Sequence, residues 1–143
     1  MIRMSKMTDY GIVLMVSLAR AGAARTARQL AHESDLPLTT VAKVLKSLNR
    51  NGFLQSTRGA QGGYSLLRSA DRIRIADLIE ALEGPIALTE CSSAPGDGQC
   101  SHEKTCPVRA PWVQINSAVK NALADISLSD MSAPSFRTLE VER

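Results

Sequence analysis

Apolar residues first recur at helical spacing between positions 8 and 21, where Ile12, Val13, Val16, Ala19 and their neighbours leave almost no polar face. Ser5 or Thr8 offers an N-cap hydroxyl and Gly22 a stop. Thr26 followed three residues later by Gln29 has the form of a capping box, which predicts a short second helix to about Glu33, broken at Ser34-Asp35. Pro37 suits the first turn of a third helix, in which Val41, Val44, Leu45 and Leu48 repeat at three and four residues until Asn51-Gly52. Two helices joined by a tight turn, the second carrying Lys43, Lys46 and Arg50, make a helix-turn-helix pattern.

The period then changes. Residues 53–57 and 64–68 flank Arg58-Gly59-Ala60-Gln61-Gly62-Gly63, and strand, glycine loop, strand is a hairpin, here a wing. Ile73 and Ile75 bracket a short extended piece, and residues 75–82 read as a helix that Gly84-Pro85 ends and that should close the domain. Further on, Val108, Trp112, Ile115, Val119, Ala122 and Ile126 step alternately by four and three, a heptad-like seam that favours pairing with another helix. Residues 132–143 contain few apolar side chains and are expected to be disordered. The fold class is thus mainly α with a small β-hairpin. A winged helix-turn-helix domain (1–85) is followed by a cysteine-rich loop (86–106), a long C-terminal dimerisation helix region (107–131) and the tail (132–143).

Composition narrows the function. With 143 residues, 44% of them hydrophobic, the chain can bury a core without help from a structural metal. Its longest apolar stretch, residues 11–19 interrupted by Ser17, is too short to span a bilayer, and no cationic segment with a cleavage site precedes it; a soluble, cytoplasmic protein without a membrane partner is expected. Residues 1–70 hold ten Lys/Arg against three Asp/Glu, while the remainder is net acidic, so the first half suits a polyanion. Two Tyr, two Phe and one Trp are too few for a base-stacking platform, which favours duplex DNA over single strands.

On the third helix, Thr39, Thr40, Lys43 and Lys46 lie in the N-terminal half, where a helix-turn-helix meets base edges and phosphates; a merely solvated face is the plainer alternative. The glycine loop is not a dinucleotide fingerprint, because a strand rather than a helix follows it. Arg58 at the wing tip is placed to enter a minor groove. Gln61 and Tyr64 of the same wing are further DNA-contact candidates.

All three cysteines fall between positions 91 and 106, as Cys91-x8-Cys100-x5-Cys106 with His102 between the last two. An odd count without a secretion signal argues against a disulfide framework. Three readings stay open: an iron-sulfur cluster, a zinc site using His102, or thiols without a ligand or with a redox role. A zinc- or thiol-dependent redox enzyme built on Cys100 or Cys106 lacks a C-x-x-C pair, paired carboxylates and a nucleophile with an evident base, so the chain is read as no enzyme. A metal-independent DNA-binding module is the other alternative.

With these pieces in order, the chain resembles the winged-helix iron-sulfur regulators of the IscR/NsrR/RirA type and is most similar to the branch that regulates the SUF iron-sulfur assembly system. The resemblance lies in residues 5–10 (Ser-Lys-Met-Thr-Asp-Tyr), residues 40–46, the wing from Arg58 to Tyr64, and residues 82–86 leading into Cys91. It covers residues 1 to about 131 and implies a transcription repressor of iron-sulfur assembly genes, acting as a homodimer on a double-stranded DNA operator. It also implies one 2Fe-2S or 4Fe-4S cluster per subunit, ligated by Cys91, Cys100 and Cys106. Where IscR-type proteins have a histidine three residues past the last cysteine, this chain has Arg109, which keeps its proton and cannot ligate. In the NsrR-like pattern an aspartate of the partner subunit completes the site, and Asp9 falls at that place. His102, His32 or an exogenous ligand are the other candidates. The glutamate by which IscR-type proteins choose between operators is replaced by Ala42.

Overall fold

The computed structural model describes residues 3–92 and 100–134. Helix α1 (Lys6–Ala21) starts where the Ser5 hydroxyl accepts from the Thr8 amide and ends at Gly22 in the left-handed conformation. Helix α2 (Ala27–Ser34) opens with the capping box in both directions: Thr26 Oγ1 accepts from the Gln29 amide at 3.1 Å, and Gln29 Oε1 from the Thr26 amide at 2.8 Å. Helix α3 (Leu38–Arg50) begins one residue later than its proline suggests. Pro37 stands at the N-cap with an extended ψ of 134°, just outside the first turn.

Strands β1 (Leu54–Thr57) and β2 (Gly63–Leu66) form an antiparallel hairpin with Leu54 opposite Leu66 and Thr57 opposite Gly63. The wing is also tied to the start of α2. The Arg25 amide donates to the Tyr64 carbonyl at 2.9 Å, and the Tyr64 amide to the Arg25 carbonyl at 2.7 Å. Gly63 permits that approach: its φ is 139°, and a Cβ there would lie 2.6 Å from the Arg25 carbonyl carbon and oxygen. Gly63→Ala is therefore expected to unseat the wing, costing roughly 1–3 kcal/mol of stability and weakening DNA binding. Thermal unfolding and duplex titration would check it.

Helix α4 (Ile75–Glu83) follows the short extended piece foreseen at residues 73–75, and that piece has a partner. The Leu128 amide donates to the Ile73 carbonyl at 2.8 Å and the Ile75 amide to the Ile126 carbonyl at 3.0 Å. The chain has by then passed through α5 (Arg109–Asp125) and returned. A further helix, α6 (Leu128–Ser132), packs on α1 and inserts Leu128, fully buried, into the core. That core joins Leu14, Met15 and Leu18 of α1, Leu30 of α2, four residues of α3, Phe53, Leu54, Ile73 and the inner face of α4. The helix expected to run on through Ile126 thus stops at Asp125. Domain closure falls to α6 as well as α4, because Ser127 and Asp130 form a second capping box that restarts the helix in a new direction. Of the expected disordered tail, residue 132 ends α6 and residues 135–143 lie outside the described residues.

Candidate nucleic-acid interface and metal centre

Helix α3 buries Val41, Val44, Leu45 and Leu48. Its spacing necessarily turns Thr39, Lys43, Lys46 and Arg50 outward, and all four are exposed. Arg50, seven residues past Lys43, extends this basic face by two helical turns; the same spacing was readable in the sequence. Thr40 is half-buried at the edge of the face. At the first turn, among the described residues, no side chain caps the free amides.

On the wing, Arg58 and Gln61 are exposed at the turn. Tyr64 is different: it is half-buried in β2, packs against the core and carries the backbone tie to Arg25. Arg25 was not singled out by sequence reasoning, since the tie joins segments far apart in the chain. Its guanidinium pairs with Glu33 at 3.2 Å. At the wing base the Arg68 guanidinium lies over the Phe53 ring, 5.4 Å from its centroid.

Cys91 sits in a 3-10 turn (Glu90–Ser92), with its Sγ 3.2 Å from Thr89 Oγ1. Cys100 and Cys106 precede α5. All three are free thiols and half-buried. Three soft donors in one segment fit an iron-sulfur cluster in kind, and they would be its ligands here. A full ligand set within one subunit is not assembled: among the described residues no three Cys, His, Asp or Glu side chains are grouped to hold a metal. Asp9 is exposed in the first turn of α1, and His32 and His102 are exposed. Arg109, at the histidine position of the IscR-type pattern, donates from Nε and Nη2 to Glu103 Oε1 at 3.1 and 2.8 Å. It is engaged there as an ion-pair partner of Glu103.

The seam read along the last long helix is divided in space. Val108, Trp112 and Ile115 are 49%, 37% and 46% exposed. Val119 instead lines a cavity with Leu123, Ile79, Ile86 and Leu88, between α5, α4 and the segment after α4. Ile126 lies beyond the helix and packs against the core of its own chain. Lys120 Nζ, 2.6 Å from Glu80 Oε1, ties α5 to α4 at the solvent-exposed edge of their contact. Among the described residues no helix is long and apolar enough to cross a membrane.

Known proteins match this architecture over nearly its full length. The family model Rrf2, described as an iron-dependent transcriptional regulator, matches residues 4–134. The helix-turn-helix transcriptional regulator CymR of Bacillus subtilis is 30% identical over 126 residues, covering 87% of this chain and 85% of that protein. A solved structure of CymR, there called the global cysteine regulator of B. subtilis, superposes with a TM-score of 0.75 at 29% identity, covering 96% of this chain and all of the other. IscR of T. potens superposes with a TM-score of 0.70 at 24% identity, covering 91% and 85%, a likeness of fold. With its exposed basic helix, its wing and these relatives, the chain belongs to the Rrf2 family of helix-turn-helix transcriptional regulators and is not an enzyme.

Proposed function

We propose that this regulator is a homodimer that binds an iron-sulfur cluster in each subunit and, when loaded, represses iron-sulfur assembly genes of the SUF type. The observation that carries this reading is the set of three free, half-buried thiols on the segment that joins the DNA-binding unit to α5. A cluster bound there, when present, supplies a thiolate-ligated charge that reports iron and sulfide supply. Thr39, Lys43, Lys46 and Arg58 contact the operator, with Thr40 and Gln61 at the margins of that surface. Tyr64 contributes by holding the wing. Val108, Trp112 and Ile115 face the second subunit, and Asp9 of that subunit is the candidate fourth ligand. Cluster uptake acts by stabilising one spacing of the two recognition helices over others.

A second reading is favoured by the likeness to CymR, called a global cysteine regulator, over most of the chain: a regulator of cysteine genes that works without an iron-sulfur cluster. Anaerobic purification followed by iron, sulfide and zinc analysis separates the two. Iron and sulfide in equal supply, with visible absorption lost more quickly in Asp9→Ala, is the expected result. Zinc without sulfide, or colourless metal-free protein that binds duplex tightly, would overturn the cluster reading, and an unchanged cluster lifetime in Asp9→Ala would remove the cross-subunit ligand.

A further inference from the structure

Among the described residues of α5, Asn116 alone is buried, at 8% exposure. Its Oδ1 accepts from the Leu88 amide at 3.0 Å, and its Nδ2 donates to the Ile86 carbonyl at 3.0 Å and more weakly to the Ser92 carbonyl at 3.5 Å. A buried amide is costly unless bonded. Here its partners are backbone groups of a segment with little regular structure, so the bonds form only when that segment lies in one register on α5. The far end of the segment is knotted around Cys91. Ser92 Oγ donates to the Thr89 carbonyl at 2.8 Å and accepts from the Thr89 amide at 3.0 Å, and Thr89 Oγ1 is 3.2 Å from Cys91 Sγ.

We propose that Asn116 is the positioning residue that fixes Cys91 against α5, so that a change at the thiol is registered on that helix. Helix α5 also packs on the Glu90–Ser92 turn and meets α4 through Val119, Leu123 and the exposed Lys120–Glu80 pair, but among the described residues its side-chain hydrogen bonds to the backbone of residues 86–92 all come from Asn116, which sets the register. Displacing Cys91 strains the bonds to Asn116, and α5 then tilts or releases the segment. The functional consequence rests on the proposed metal centre; the clamp itself does not.

The test uses the full chain, reduced and metal-free, with iodoacetamide labelling of each cysteine followed by mass spectrometry. In Asn116→Ala, Cys91 is expected to label about tenfold faster, the loss of roughly two net hydrogen bonds, with Cys100 and Cys106 as internal controls that do not change. Lys120→Ala, which loosens the next helical turn without touching the amide, should leave Cys91 at its original rate. Asn116→Asp keeps the size and the acceptor for Leu88 but sets a carboxylate oxygen against the Ile86 and Ser92 carbonyls; Cys91 is expected to label at least as fast as in Asn116→Ala, and this variant decides the matter if the alanine variant does not fold. Unchanged Cys91 labelling in the Asn116 variants, or an equal rise at all three cysteines or in Lys120→Ala, would overturn the clamp. Selective Cys91 release in a protein that never holds iron or sulfide would retire the metal reading and leave the clamp standing.

Discussion

Replacing Lys43 and Lys46 together by alanine is expected to weaken duplex binding by roughly a hundredfold near 0.1 M salt, taking about 1–2 kcal/mol for each charge-assisted phosphate contact. It should also lower the slope of log affinity against log salt by about two. Both side chains are exposed on the outer face of α3, and the helix is held by its four buried residues on the opposite side. Stability should therefore change little. Titration of a labelled operator duplex at several salt concentrations, with a thermal melt of the same variant, checks both halves. An unchanged salt slope would mean that this face does not meet the DNA backbone.

Leu128→Ala is expected to destabilise the protein by about 2–5 kcal/mol, the range for emptying a filled core position. Leu128 is completely buried, its helix packed on α1 and its amide bonded to the Ile73 carbonyl, although it comes from a helix of only five residues near the end of the described chain. That helix depends on its cap. The Ser127 hydroxyl, and then its backbone amide, hold the Asp130 carboxyl below its ordinary range by hydrogen bonding to the charged form. A carboxylate with a lowered folded pKa contributes stability above its unfolded pKa and loses it as pH falls through the folded value. Acid should therefore weaken the cap of α6, and Asp130→Asn should reduce that acid sensitivity. Denaturant melts at neutral and acid pH would show both effects. A melt unmoved by Leu128→Ala would mean that α6 is not part of the cooperative core.

How far the sequence carried differs by element, for physical reasons. The helix-turn-helix and wing were legible because their signals are local: the Thr26–Gln29 box, the spacing in α3, and glycines bounded by alternating residues. Helix α6 was missed although Ser127 and Asp130 spell a capping box, because Ile126 also fitted the heptad-like step and drew one helix through the turn. The division of the seam followed from the same cause. Spacing assigns a face to each residue, whereas Val119 is half-buried because α4 and residues 86–88 come back against it. Asn116 reads as a solvated polar position in an amphipathic helix. Its partners are backbone groups about thirty residues away, and no periodicity announces them. At the thiols, spacing gave soft donors in one segment but could not supply a fourth ligand, and among the described residues no three Cys, His, Asp or Glu side chains are grouped to hold a metal.

The central claim is that a cluster on Cys91, Cys100 and Cys106 controls the grip of α3 and the wing on duplex DNA. It is tested most directly by measuring operator affinity of one anaerobic preparation before and after its iron and sulfide are removed by chelation. The expected result is an affinity at least tenfold higher for the loaded protein, with the difference abolished in Cys106→Ser. Equal affinities for loaded and stripped protein would contradict it.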